Sequence, residues 1–189
     1  QHESHGYKEL VIPALNGNHQ IEKNALHIWP RESFMMIALP NLDGSFTCTL
    51  FAPLNGENGF NQLKTTSDVT HYFNRHFPDA VPLMPTLLQD FFENPTGSLV
   101  TVKCFPWNLN NTCLIGDAAH AVVPFYGQGM NCGFEDVRIL DELLTKHNQH
   151  WETVLKEFQY SRKPNADAIA DLALYNFIEM RDLRGRADF

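Results

Sequence analysis

The chain has 189 residues, of which 43% are hydrophobic and 12% aromatic, so it is long enough for one ordinary domain with a real core and is not a disordered segment. Its formal net charge of −8, with no Lys/Arg cluster to offset it, disfavours nucleic acids and anionic membrane surfaces as partners. The four cysteines lack C-x-x-C spacing, which predicts free, buried or partly buried thiols and no metal site.

The first 51 residues predict an antiparallel meander. Strand-like runs at 7–12, 25–29, 34–39 and 46–51 are separated by turn signals that contain Gly, Pro or Asn. In the last run, Phe46, Cys48 and Leu50 alternate with threonines, so one face of the sheet is expected to be apolar. That face would cover either helices or a substrate cavity. A Gly/Asn-rich surface loop is expected at 55–61.

Helices are expected before and after a central motif at residues 112–136. Thr66 or Ser67 caps the first, which ends near Phe77, and a second covers about 85–92. A strand is expected at 99–105. Beyond the motif, 151–160 and 165–181 predict two helical stretches interrupted at Pro164, because proline lacks the N–H group that a helix interior needs.

The central motif begins with an acidic turn. Residues 112–115 predict a short buried strand, and Gly116 permits a tight backbone before Asp117. At the carboxyl end of a strand, Asp117 can accept hydrogen bonds from the hydroxyls of a sugar-like chain. The alternative is that Asp117 caps a helix that starts at Ala118.

The motif continues into a glycine-rich helix start. Apolar residues at spacings of three and four predict an amphipathic helix that runs to about Lys146, with one apolar face formed by Met130, Phe134, Val137, Leu140 and Leu144. Its first turn lacks bulk, so free N–H groups near 129–131 can approach a ligand, and the helix dipole favours negative charge there by roughly 0.3–1 kcal/mol. A flavin or a phosphate fits this description. The G-x-G-x-x-x-G spacing is not the dinucleotide-binding fingerprint.

The run from Gly116 to Asp136 resembles the second flavin motif of the single-component flavoprotein aromatic hydroxylases. The resemblance rests on Gly-Asp-Ala-Ala-His-Ala at 116–121, Pro-Phe-Tyr-Gly-Gln-Gly-Met-Asn at 124–131 and Gly-Phe-Glu-Asp at 133–136. It extends in the same order to 26–31, 34–40, 45–51 and 175–181, and so covers nearly the whole chain. Within the family it is closest to the members that hydroxylate L-kynurenine at the ring 3-position.

The resemblance implies a mixed α+β and α/β fold, part of the FAD-binding aromatic hydroxylase fold. A substrate-domain sheet with helices would occupy 1–105, the second FAD-binding motif 106–147, and C-terminal helices 148–189. The residues implied to bind FAD are Asp117, Gly129, Met130 and Asn131. The residues implied to contact the substrate are Pro124, Phe125, Gln128, Asn176 and Glu179. No residue of the chain is assigned as catalytic.

Two residues of the motif region have alternative interpretations. His120 invites a reading as a catalytic base, but a packed histidine that hydrogen-bonds to backbone is the better prediction, because flavin hydroxylation needs no strong base near that loop. Asn176 matches the family's substrate-binding asparagine, with Glu179 one helical turn further along the same face. Without the resemblance, Asn176 would be predicted to be a buried amide that ties helices together.

The resemblance also implies the activity of a longer enzyme. That enzyme would be an FAD-dependent, NADPH-consuming monooxygenase that uses O2 in tryptophan degradation, anchored on the cytosolic face of the mitochondrial outer membrane through its C-terminal region. The sequence contains neither that region nor the family's first nucleotide-binding unit, so the chain is expected to be a fragment that is inactive alone. The alternatives are a related hydroxylase with another substrate and an inert product of a truncated gene.

Overall fold

The computed structural model describes residues 2–183 of the chain, which divide into two compact units. One unit consists of Glu3–Leu99 together with residues 179–183, and the other of Val100–Ile178 together with residue 2. The mixed α and β content agrees with the fold class expected from the sequence. The three-part division of the sequence stays a prediction.

The first unit is built on a five-stranded sheet with the order β2-β3-β4-β1-β5. Its strands are β1 (His2–Ile12), β2 (His27–Arg31), β3 (Phe34–Pro40), β4 (Phe46–Pro53) and β5 (Gly97–Val100). The predicted meander is confirmed for β2 to β4, which pair antiparallel in sequence order. The expectation that β1 continues it is wrong, because β1 pairs antiparallel with β4 instead. Residues 13–26 form a wide connection, with their own turn closed by Leu15 and Asn18, so β1 and β2 make no hairpin.

Two helices cover the apolar face of this sheet. They are α1 (Thr66–His76) and α2 (Leu87–Glu93), and single 3-10 turns lie at Phe60–Gln62 and Val81–Leu83. Phe46, Cys48 and Leu50 of β4 are fully buried and share one core with Val69 and Phe73 of α1. The predicted apolar face is therefore confirmed, and these side chains pack against helices.

The capping residue of α1 differs by one position from the prediction. Thr65, not Thr66 or Ser67, is the N-cap: its side chain accepts a hydrogen bond from the Asp68 N–H at 3.2 Å. In return the Asp68 carboxylate accepts from the Thr65 N–H at 2.9 Å, which completes a capping box.

The second unit is mostly helical. It contains a hairpin of β6 (Asn108–Leu109) and β7 (Thr112–Cys113), followed by α3 (Asp117–His120), a 3-10 turn at Pro124–Tyr126, α4 (Gly129–Lys146) and α5 (Trp151–Ile178). Its buried core comprises Trp107, Ala119, Leu143, Val154, Phe158 and Ala166. A π-helical turn at Glu179–Leu183 directly follows α5 along the chain.

Two strand predictions were too long. The buried strand expected at 112–115 is only two residues, Thr112 is exposed, and Ile115 is 41% exposed. Within residues 2–183 β7 pairs only with β6, so this hairpin has no second sheet neighbour that would extend or bury it. The strand expected at 99–105 is Gly97–Val100 and ends before residue 101.

The interruption predicted at Pro164 is also wrong, because α5 is one helix of 28 residues with that proline inside it. Residues on both sides of the proline are buried, among them Phe158 and Ala170. A proline costs an α-helix about 3 kcal/mol, and packing of both halves against the unit outweighs that cost. Across residues 2–183, none of the helices is both long and apolar enough to span a membrane.

Candidate functional site

The turn between β7 and α3 presents an exposed carboxylate. Gly116 has φ 58° and ψ −141°, a conformation that is readily adopted only by glycine. Asp117 is the first residue of α3 and is exposed, and its carboxylate has no hydrogen-bond partner among residues 2–183. The alternative that Asp117 caps the helix is wrong, since Gly116 occupies the cap position and no side chain caps it. The carboxylate therefore remains available to a ligand.

A buried carboxylate forms hydrogen bonds with this turn. Asp136 of α4 is fully buried, and its Oδ2 accepts hydrogen bonds from the Gly116 N–H at 2.8 Å and from His120 Nε2 at 2.5 Å. Its Oδ1 accepts from Arg162 Nε of α5 at 2.8 Å. Burial alone would raise the pKa of Asp136, but the hydrogen bonds from His120, Gly116 and Arg162 outweigh it and hold the pKa below its ordinary value of 3.8.

His120 is a packed residue, as the sequence favoured, although its partner differs. The side chain is 3% exposed, and its ring lies 5.2 Å from the indole of Trp107. The predicted backbone partner is wrong, because Nε2 bonds to the Asp136 carboxylate. The sequence-based assignment missed Asp136 and Arg162 as members of this cluster. One signal was available in the sequence. Asp136 lies four residues after Cys132 and seven before Leu143, and these helical spacings put it on the same face of α4 as those two buried residues.

The start of α4 is open and lacks a side-chain cap. Gly127 is left-handed with φ 63°, and Gln128 takes the cap position without a side-chain cap bond. The first N–H groups of the helix, from Gly129 to Asn131, have no intrahelical acceptor. A Cβ atom built at Gly129 would lie 3.8 Å from Val122, and one at Gly127 would have no neighbour within 4 Å. A flat ring system can thus approach this backbone closely.

The side chains predicted at the helix start are partly engaged with each other. Asn131 Nδ2 donates to Gln128 Oε1 at 2.9 Å, and Gln128 Nε2 donates to the Tyr126 carbonyl at 3.3 Å. Met130 is 72% exposed, and Pro124 is also exposed. The structure brings Gln128 and Asn131 together, and their roles toward FAD and substrate stay predictions.

The predicted substrate residue of α5, Asn176, contacts the 3-10 turn at Pro124–Tyr126. Asn176 Nδ2 donates to the Phe125 carbonyl at 2.5 Å, and the Phe125 ring stacks on Phe177 with centroids 4.2 Å apart. Phe125 is 8% exposed, so little of this side chain is open to solvent. Asn176 is partly buried and its side chain links α5 to the turn, and its role toward the substrate stays a prediction. Glu179 begins the π-helical turn and belongs to the other unit.

The apolar face predicted for α4 is exposed over the first half of the helix. Phe134 and Val137 are 66% and 54% exposed, as Met130 is at 72%, whereas Cys132, Asp136 and Leu143 are buried. The helix and its end at Lys146 are confirmed, and the predicted apolar face is more than half exposed at these three residues. The buried face of α4 carries Asp136 of the ion-pair cluster where an apolar residue would be expected. The spacing of apolar residues therefore does not identify the buried face of this helix.

These features fit a flavin nucleotide. An exposed carboxylate can accept hydrogen bonds from the ribityl hydroxyls, and an uncapped, uncrowded helix start can donate N–H groups to the electron-rich edge of the ring. Asp136 links these two elements, because it bonds to Gly116 and belongs to α4.

Comparison with known proteins agrees with this chemistry. A family model described as an FAD binding domain matches residues 86–173. The chain is 56% identical over 177 residues to a kynurenine 3-monooxygenase of Flavobacterium johnsoniae, covering 93% of this chain and 40% of that protein. It is 57% identical over 187 residues to the kynurenine 3-monooxygenase of Myxococcus xanthus, covering 98% of this chain and 40% of that protein.

A solved structure shares the fold. Klebsiella pneumoniae HpxO complexed with FAD and uric acid superposes with a TM-score of 0.70 over 98% of this chain and 47% of that chain, at 16% sequence identity. At this identity the likeness concerns the fold alone. The chain spans about 40% of the length of the curated relatives it matches.

Proposed function

Because this chain belongs to the family of FAD-dependent aromatic hydroxylases that includes kynurenine 3-monooxygenase, we propose that the whole protein hydroxylates L-kynurenine to 3-hydroxykynurenine. It would use FAD, NADPH and O2. The observation that carries the proposal is the identity of 56–57% to proteins of that name over 93–98% of the chain. The arrangement of Asp117 and the α4 start supports it, since both suit a flavin.

This chain would contribute part of the flavin-binding site, and we call that part, formed by Asp117 and the Gly129–Asn131 backbone, the flavin cradle. Asp117 would accept hydrogen bonds from the ribityl hydroxyls, while the Gly129–Asn131 backbone donates to the flavin ring. When bound, FAD supplies the redox chemistry that activates O2 with electrons from NADPH. The protein residues orient the ring and exclude water from it. Pro124 and Gln128 would border the aromatic substrate beside the ring.

Substrate contacts from α5 are part of the same proposal. Asn176 would help to hold the amino-acid end of L-kynurenine, with Phe125 beside it. Glu179 would be a further substrate contact, as the resemblance implies. The hydrogen bond from Asn176 to the Phe125 carbonyl supports a shared neighbourhood for these two residues. An Asn176→Ala variant is expected to raise KM for L-kynurenine more than it lowers kcat, because the contact is to a part of the substrate that does not react.

The cofactor role is tested by Asp117→Ala in the whole protein. The variant is expected to bind FAD about tenfold or more weakly, because a charged acceptor is lost. FAD content after purification and the FAD dissociation constant are the measurements. Asp141→Ala, at an exposed position of α4, is the matched control and should retain FAD. Unchanged FAD affinity in Asp117→Ala would contradict the proposal.

The substrate is tested separately by product analysis. The whole protein is incubated with NADPH and either L-kynurenine or a panel of phenols and other aromatic acids, and the products are separated by chromatography. We expect 3-hydroxykynurenine as the main product. A faster conversion of another substrate would favour the related-hydroxylase alternative. NADPH oxidation without any hydroxylated product would favour neither substrate hypothesis.

The location at the outer mitochondrial membrane stays a prediction from the resemblance. Imaging of the tagged whole protein in its own cells tests it.

A further inference from the structure

The buried cluster around Asp136 has no part in the function proposed so far. The three side chains of the cluster, Asp136, His120 and Arg162, are between 0% and 5% exposed. Replacing such buried ion pairs by apolar residues often leaves the stability of a protein unchanged or raises it. A contribution to stability is therefore a weak explanation for the presence of a buried ion pair. The position of the cluster offers a more specific reason.

Asp136 joins the two halves of the candidate flavin cradle. Its Oδ2 accepts the Gly116 N–H at 2.8 Å, and Gly116 is the residue directly before Asp117. Asp136 itself belongs to α4, two turns after the open start at Gly129. One carboxylate therefore sets the position of the acidic turn relative to the helix whose N–H groups face the ligand.

The remaining partners fix the carboxylate itself. His120 Nε2 lies 2.5 Å from Oδ2, and Arg162 Nε lies 2.8 Å from Oδ1. Arg162 also lies within 3.4 Å of the Cys132 carbonyl, so it contacts the same helix one turn earlier. Both oxygens thus have charged or ring N–H donors from other elements, which leaves the carboxylate a single orientation.

We propose that Asp136 is a positioning residue for the cofactor: through the Gly116 N–H it holds the Asp117 carboxylate in register with the first turn of α4, and His120 and Arg162 hold Asp136 in place. The inference rests on the proposed FAD contact of Asp117. An asparagine at position 136 would present one N–H2 group toward donors that need acceptors, so Asp136→Asn should displace the turn without removing any group that touches FAD.

A double-mutant cycle in the whole protein separates positioning from general destabilisation. FAD dissociation constants are measured by flavin fluorescence for Asp117→Ala, Asp136→Asn, the double variant and the parent, below the unfolding temperature of each apoprotein. Asp136→Asn alone should weaken FAD binding by about tenfold or more. In the Asp117→Ala background it should add less than about twofold, because the contact through which it acts is already gone. Asp141→Asn, the same substitution at an exposed position of α4, should change affinity less than about twofold in either background.

Three outcomes would overturn the inference. Equal weakening by Asp136→Asn in both backgrounds would show an effect independent of Asp117, and no weakening in the parent would show no effect at all. Unchanged affinity in Asp117→Ala alone would overturn the proposed function as well as this inference. If Asp136→Asn fails to fold, Arg162→Lys takes its place in the cycle, because it keeps the charge but loses the Nε donor. It should show the same dependence on Asp117.

Discussion

Gly116 shows how much of the site depends on one backbone conformation. Its φ of 58° and ψ of −141° turn the chain between β7 and α3 so that its own N–H points to Asp136 while the next residue exposes a carboxylate. A Cβ atom there would meet no other atom within 4 Å. The requirement for glycine is therefore conformational and not steric.

Gly116→Ala should lower the free energy of unfolding by about 1–3 kcal/mol, since alanine is strained at this φ and ψ. The matched control is Gly133→Ala inside α4, where a Cβ atom also meets nothing within 4 Å. That control should stabilise the protein by about 0.5–1 kcal/mol, because alanine favours helix more than glycine. Urea titration of the apoprotein measures both. Equal effects of the two variants would show that the turn is not strained.

The ion pair of Asp136 predicts a direction for acid sensitivity. Its pKa in the folded protein is below the ordinary value, so the stabilisation is present at neutral pH and is lost as the pH falls through that lowered pKa. Asp136→Asn should cost about 3 kcal/mol at neutral pH, since it leaves buried partners unpaired. The cost should shrink below about pH 4. Urea titrations of parent and variant across this range measure it, and a cost independent of pH would contradict the assignment.

At the scale of the elements, the continuity of α5 depends on packing across its proline. Pro164 is exposed, and the lost backbone bond lies between two segments whose apolar residues are buried. Lys163 forms an ion pair with Asp167 across the same turn. The helix therefore has local and tertiary support on both sides of the break in its hydrogen bonding.

Pro164→Ala should raise the free energy of unfolding by about 1–3 kcal/mol, because it restores an N–H donor in a helix interior. The reverse control is Ala168→Pro, at another exposed position one turn further on, which should cost about 3 kcal/mol or more. Thermal unfolding followed by circular dichroism measures both. A destabilised Pro164→Ala variant would mean that the packing needs the geometry imposed by proline.

Sequence patterns predicted the elements better than their surroundings. Local sequence patterns predicted the strands β3 and β4 and the helix α4, and they predicted β2 at 25–29, two residues before its observed position. The place of β1 beside β4, the continuity of α5 and the inward face of α4 depend on long-range packing. The Asp136 cluster was missed for the same reason, since its partners lie 16, 20 and 26 positions away.

At the scale of the whole molecule, each of the two units contains a buried thiol. Cys48 lies in the core of the sheet unit, and burial raises its pKa to about 12 from an ordinary value of 9.0. Cys132 lies on the inward face of α4 in the helical unit, and burial raises its pKa as well. The two thiols can therefore report on the two units separately.

Pulsed alkylation followed by mass spectrometry should modify Cys48 the slowest of the four cysteines. A pKa of about 12 reduces the reactive thiolate about a thousandfold relative to an ordinary cysteine, in addition to the loss of access. Cys104 and Cys113 are only partly buried and should react earlier. In rising urea, Cys48 should become reactive only where the sheet unit unfolds. Rapid labelling of Cys48 without denaturant would contradict the packing described for β4.

The exposed stripe at the start of α4 has a practical consequence for handling the chain. Met130, Phe134 and Val137 follow one another at helical spacing, each more than half exposed, so they offer water a row of adjacent apolar side chains. A preparation of these 189 residues alone should increase the fluorescence of environment-sensitive dyes such as anilinonaphthalene sulfonate. It should also form aggregates as its concentration rises. Phe134→Lys should suppress both effects, and light scattering would show it.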